Sequence, residues 1–146
     1  MYAVLDQPLT KAHDRVNFLI LRQERRFMYF GVCDRETFRA FNFKGDLYRM
    51  GNKMWAIRQS PMVGANGICL HNSLQEFSNV DRVPFDYGVG DTLSIKYDEN
   101  KNSISFIKNN DQTFIMPLDD SIKQFYPFVG LKFNKDSVRV YRAENL

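Results

Sequence analysis

Polar and apolar residues alternate without a break from Thr92 to Asp98. Leu93, Ile95 and Tyr97 fall on one side, and Thr92, Ser94, Lys96 and Asp98 on the other. Period two is the spacing of a half-buried strand, whose successive side chains point to opposite faces. The polar run Asp98-Glu99-Asn100-Lys101-Asn102 follows. Asp and Asn turn readily because they tolerate unusual backbone angles and bond their own main chain. A second strand then carries Ile104 and Phe106 on its apolar face, so the pair reads as an antiparallel hairpin with one shared apolar side. Two more apolar runs, Tyr126 to Leu131 and Val138 to Tyr141, lie beyond turns marked by Pro117, Asp119-Asp120 and Asn134-Lys135-Asp136. Four strands with no long helix between them predict an all-β arrangement.

Upstream the pattern is less even. Val4-Leu5 suits a short strand closing a sheet edge, within a mixed segment running to Arg15. Val16 to Arg22 is almost wholly apolar, which predicts a strand covered on both faces. Gln23-Glu24-Arg25-Arg26 turns the chain into a strand from Phe27 to Cys33, where Gly31 implies a bulge or a close backbone approach. Asp34 to Lys53 has no sustained period and reads as a long connection. Such a loop on a β-scaffold suggests a functional surface. Met54 to Gln59 is a strand whose Trp55 is expected in the core, because Trp is usually highly buried. Ser60 to Gly67 is turn chemistry, Gly67 to His71 a short strand, and Asn72 to Tyr87 a second long connection. No internal repeat or linker interrupts the chain, so residues 1–146 are expected to form one domain.

At this point the residues resemble a family. Gly90-Asp91 before a strand, Asp98 at its end, Phe106-Ile107-Lys108-Asn109 on the return strand and Tyr126-Pro127-Phe128-Val129-Gly130-Leu131 are similar, in order, to the C-terminal half of the SPRY domain, the core of B30.2. Phe30-Gly31-Val32 resembles the glycine-valine run near the start of that core. The likeness runs from about Val16 to Tyr141, strongest after Gly88 and weakest between Asp34 and Asn52. It implies a bent antiparallel β-sandwich of two sheets, a jelly roll of concanavalin A type. It also implies a non-enzymatic module that recognises a peptide or a folded protein through loops at one end. Family members commonly belong to larger proteins or complexes, including ubiquitin-ligase receptors and chromatin-modifying assemblies. The middle of the chain departs from the family, whose N-terminal half is often longer and richer in glycine.

Composition agrees with a packed domain. The chain has 146 residues, 44% hydrophobic, with 13 Phe among its aromatics; that suffices for two packed sheets and argues against disorder. No apolar run reaches the roughly 18–20 residues that span a bilayer, and Met1 to Thr10 lacks the basic and apolar regions of a secretory signal. An intracellular protein is therefore expected, in cytoplasm or nucleus. The net charge of +3 is uneven: residues 1–58 carry eleven Lys/Arg against six Asp/Glu, residues 59–146 nine against eleven. This asymmetry fits a solvated face or an acidic partner. Arg and aromatic residues do interleave in the basic half, but a pI near 8.9 falls short of a dedicated nucleic-acid binder.

Candidate chemistry is sparse. Cys33 and Cys69 have no zinc-ligand spacing and sit in apolar surroundings, as buried free thiols do. His13 and His71 form no metal pattern, and no nucleophile elbow or phosphate loop is present. Gly88-Val89-Gly90 precedes a strand instead of a helix, so it offers no helix N-terminus to phosphate. Asp98 and Glu99 are neighbours in a turn, not a pair across a cleft. Asp98, Asn100 and Asn102 lack the glycine and glutamate of a calcium loop. No enzyme, metal or cofactor is expected.

The partner-binding residues are therefore sought in the connections: Tyr48, Arg49, Asn52, Met62, His71, Asn72 and Asn110. Arg and Tyr are the types that anchor interfaces when central. Two other functions remain open. An architectural subunit would bind through a sheet face or edge and leave apolar residues exposed there. A lectin-like carbohydrate module would need a polar site backed by an exposed aromatic.

Overall fold

A computed structural model describes residues 2–26, 28–35, 54–59, 62, 67–71, 83–118, 124–131 and 135–142, with the backbone alone for 2 and 68–71. These residues form ten strands: β1 (Tyr2–Val4), β2 (Arg15–Arg22), β3 (Tyr29–Cys33), β4 (Met54–Arg58), β5 (Ile68–His71), β6 (Thr92–Asp98), β7 (Ser103–Lys108), β8 (Gln112–Pro117), β9 (Tyr126–Gly130) and β10 (Ser137–Tyr141). They build two five-stranded sheets, ordered β1-β9-β3-β4-β5 and β10-β2-β6-β7-β8. Every pairing is antiparallel. The chain crosses between sheets after β1, β2, β5, β8 and β9, which interleaves them into a sandwich.

The expected hairpin is β6–β7. Ile95 lies opposite Phe106 and Tyr97 opposite Ile104, so the alternating apolar residues do share a face. Leu93, Ile95, Ile104 and Phe106 are fully buried there, with Tyr97 packed against them. Val16, Phe18 and Ile20 extend that face along β2, while Phe30, Val32, Trp55, Ile57 and Val129 meet them from the other sheet. Rings pack edge-on or tilted within this layer: Phe18 to Phe30 at 5.1 Å and Trp55 to Phe125 at 5.8 Å between centroids. Such contacts add to area burial because ring edges and faces carry opposite partial charge.

Three expectations change. Residues 112–117 form β8, a strand that no clean alternation announced; it is an edge strand with Ile115 exposed and Met116 buried. β2 is not covered on both faces throughout, since Leu21 and Arg22 are exposed. The segment 83–87 is not a plain surface loop: Val83, Phe85 and Tyr87 alternate into the core. The strands covered on both faces are instead β3 and β9, buried at every position. Their second layer gathers Tyr29, Cys33, Met54, Ala56, Tyr126 and Phe128. Gly31 sits in this double layer in regular register with Ala56 and Phe128, which selects close approach over a bulge.

Candidate functional site

Register decides which connections share an end of the sandwich. β7 ends and β8 begins where Lys108 lies opposite Leu93 and Gln112. β2 ends beside the start of β10. The short β2–β3 turn enters β3 at Tyr29, opposite Arg58, where β4 ends. Met62 in the β4–β5 connection and Asn110 in the β7–β8 turn therefore belong to one end. His71 closes β5 opposite Trp55, toward the other end. Of the sequence-derived residues that are described, Met62 and Asn110 thus share one end, and the backbone of His71 lies toward the other. Tyr48, Arg49, Asn52 and Asn72 lie outside the described residues. Met62 is exposed.

Asn110 joins a site that the sequence did not single out. Lys108-Asn109-Asn110-Asp111 is a tight turn closed by the Asp111 amide donating to the Lys108 carbonyl at 3.0 Å. Both central residues have positive φ, 52° and 57°, the hairpin geometry that Asn tolerates better than most residues. The turn leans over the outer face of the second sheet. There Asn110, Asn109, Thr92, Arg15, Asn17 and Tyr141 line a depression of about 480 Å3.

The depression has a built floor. Asn17 and Ser94 are opposite one another in the β2–β6 ladder and are nearly inaccessible to solvent. Ser94 Oγ donates to Asn17 Oδ1, and Asn17 Nδ2 donates to the Tyr141 carbonyl at 3.3 Å, tying β10 to β2. Arg15 lies across this floor. Its Nε donates to Asn17 Oδ1 at 3.1 Å, and its Nη2 donates to Ser94 Oγ at 3.1 Å and to Asn110 Oδ1. A guanidinium held by three acceptors has little rotamer freedom left to lose, and it remains charged at any ordinary pH. The Asn109 side chain fixes the rim, accepting from the Thr92 amide and donating to Asp91 Oδ1.

A second polar cluster, at the end shared by Met62 and Asn110, is scaffold. Gln59 is wholly buried; it exchanges side-chain bonds with Gln23 and donates to the Tyr87 carbonyl. The Tyr87 hydroxyl donates to the Met28 carbonyl at 3.0 Å, and Arg26 pairs with Asp86. These bonds join the β2–β3 turn, the end of β4 and the segment before β6. Burial, and next the Asp86 carboxylate, push the Tyr87 phenol well above its ordinary value. Cys33 is a buried thiol, likewise pushed up mainly by burial. Among the described residues, no three His, Cys, Asp or Glu side chains are grouped as metal ligands.

Thr92 and Ser94 were legible as outward polar positions of one alternating strand, whereas Arg15 and Asn17 were not, because Val16 to Arg22 reads as a strand covered on both faces and Arg15 lies before it. Alternation shows that Thr92 and Ser94 face out; it does not show that strands 79 residues apart bring Arg15 and Ser94 together. Tyr141 was placed in a strand, but its position beside Asn17 depends on β10 pairing with β2.

No family profile and no curated protein matches the chain. Solved structures do. The SPRY domain of human HERC1 superposes with a TM-score of 0.69 at 19% identity, over 99% of this chain and 84% of that one. A human SPRY domain gives 0.70 at 16% identity, over 99% and 86%. The carbohydrate recognition domain of Emp46p, in a potassium-bound form, gives 0.52 at 12% identity, over 88% and 68%. The chain has the SPRY fold, an all-β sandwich of two antiparallel sheets.

Proposed function

We propose that this chain is a non-enzymatic recognition module that binds a peptide or a folded protein, as part of a larger intracellular protein or complex. The observation that carries this reading is the superposition of two SPRY domains on 99% of the chain, a fold commonly used for protein interaction. Strand residues supply the core, which leaves the connections and the outer face free to vary for a partner. A ubiquitin-ligase or chromatin-associated assembly suits a module of this kind.

The test is affinity capture with the tagged protein, followed by quantitative mass spectrometry of what is retained. The double change Tyr48→Ala, Arg49→Ala in the β3–β4 connection is expected to leave thermal unfolding nearly unchanged and to weaken capture at least about tenfold, roughly 1.4 kcal/mol. Capture that survives this change but is lost on substituting Leu21, Ile115 or Val140, which are exposed, would favour an architectural sheet-binding role.

A carbohydrate reading has one specific observation behind it. Tyr141 is 44% exposed and borders a depression rich in amide and hydroxyl groups, in a fold shared at TM-score 0.52 with a carbohydrate recognition domain. Binding on a glycan array, inhibited by free sugar and abolished by Tyr141→Ala, would establish it over protein recognition.

A further inference from the structure

We infer that the outer-face depression is a carboxylate-binding subsite, which takes an acidic side chain of a peptide partner on Arg15 with an adjacent apolar residue against Tyr141. The inference rests on the protein-recognition reading for its choice of partner, but the site itself is argued from its own chemistry.

The first argument is which groups are committed and which remain. Asn17 Oδ1 accepts from both Arg15 and Ser94, and its Nδ2 is spent on Tyr141. Asn109 uses its oxygen on Thr92 and its nitrogen on Asp91. Arg15 commits Nε and Nη2, and among the described residues Nη1 has no partner. Asn110 accepts through its oxygen, which leaves its Nδ2 as a second donor, and the Tyr141 and Thr92 hydroxyls also remain. The acceptors of the lining are thus largely consumed internally, and the groups left over are mainly donors around one fixed cation. A ligand that offers acceptors and a negative charge satisfies them; a donor-rich ligand does not.

The second argument is the field around the site. By register, the outward positions of the second sheet include Arg15 beside Lys96, and Arg139 beside Leu19. The one carboxylate in these strands at an outward position is Asp98, which is turned to the Lys101 amide in its own hairpin. At the rim the Asp91 carboxylate holds Asn109 and stands 4.0 Å from Lys108, so the cationic excess is confined to the strand positions Arg15, Lys96 and Arg139; that excess favours an acidic segment there and makes binding fall with added salt. One guanidinium in the depression matches the single charge of a carboxylate, whereas a phosphate dianion would call for more. The exposed Tyr141 ring supplies an apolar wall beside the fork, suited to a neighbouring Leu or Phe.

The experiment uses the full chain labelled with nitrogen-15, observing the Arg15 Nε and the Asn110 side-chain amide. The probe is a pool of capped hexapeptides with a central Asp or Glu flanked by Leu or Phe. Parallel arms use the same pool with Asn and Gln in place of the acid, a phosphoserine pool, and a neutral mannose trisaccharide. The expected result is saturable shifts of both reporter groups with the acidic pool, at least tenfold weaker with the amide pool. Read at the Asn110 side-chain amide, since both Arg15 variants lack the Arg15 reporter, R15Q should abolish the response and Arg15→Lys should retain the charge yet weaken binding several-fold; Tyr141→Ala, read at both reporters, should weaken it about tenfold. The spectra themselves show whether each variant is folded, and the exposed Tyr141 gives a readout independent of the buried floor. Equal response to both peptide pools, response to the trisaccharide alone, tighter binding of phosphoserine, or no response overturns the proposal. A protein partner captured equally by wild type and R15Q would leave the recognition reading standing and sink this subsite. Acidic-pool binding with no protein partner would do the reverse.

Discussion

Gly31 and Ala56 face one another across the β3–β4 ladder so closely that a Cβ on Gly31 would lie 2.6 Å from the Ala56 Cβ and 2.4 Å from the Trp55 carbonyl oxygen. Both strands are buried on two faces here, so neither can move away without disturbing a packed layer. Gly31→Ala is expected to destabilise the protein at or above the upper end of the usual overpacking cost, about 1–3 kcal/mol. Adding Ala56→Gly should recover only part of the loss, because the Trp55 carbonyl is backbone and stays. Urea unfolding of the single and double variants measures both quantities.

Phe106 tests the hairpin face. Its ring is fully buried opposite Ile95. Phe106→Ala should cost about 3–5 kcal/mol, as full-ring truncations in cores do. A loss under about 1 kcal/mol in equilibrium unfolding would contradict the shared apolar face.

That hairpin was legible in the sequence because both strands lie within the second sheet, each with one face in the core and one outside, and period two records that division. β8 was not legible, since an edge strand can expose Gln112, Thr113 and Ile115 and bury only Met116. The core role of Val83, Phe85 and Tyr87 was hidden for a different reason: these residues alternate inward outside the described strands, with Val83 and Phe85 bonded through the main chain to Gly67, amid turn-forming Pro84 and Asp86. The outer-face depression was the least legible feature. Asn110 was identified as a connection residue, but Arg15, Ser94 and Tyr141 are brought to it by pairings across most of the chain length. The family resemblance conveyed the sandwich and not this placement, because it rests on core and turn residues.

Tyr87 and Cys33 set an alkaline limit to stability. Burial raises both groups above their ordinary values of 10.0 and 9.0. The folded state therefore keeps its protons at a pH where the unfolded chain has released them, and linkage makes stability fall as pH rises. The stability is fully present below about pH 9 and declines as pH passes first the unfolded thiol and then the unfolded phenol range. Cys33→Ala should remove the earlier part of the decline and Tyr87→Phe the later part. Tyr87→Phe should also cost roughly 0.5–1.5 kcal/mol at neutral pH for the lost hydrogen bond, because the Met28 carbonyl still accepts from the Gln59 amide at 3.0 Å. Denaturant midpoints taken between pH 7 and about 11 distinguish these contributions.

Asn110 holds two roles that two substitutions can separate. Its backbone occupies the left-handed region at φ 57°, where a Cβ without a compensating polar group costs roughly 1–2 kcal/mol and glycine costs little. Its side-chain oxygen accepts from Arg15, and its nitrogen is the second donor proposed for a bound carboxylate. Asn110→Ala should therefore lower stability by about 1 kcal/mol and weaken binding of the acidic peptide pool. Asn110→Gly should keep the turn, leaving the unfolding midpoint within about 0.5 kcal/mol of wild type, and yet weaken the same binding by a similar factor. If glycine restored both stability and affinity, the side chain would matter only through the turn, and the ligand would have to be held by Arg15 and Tyr141 without it. If neither variant changed affinity while R15Q still abolished it, Asn110 would be a rim residue whose contact with Arg15 is structural.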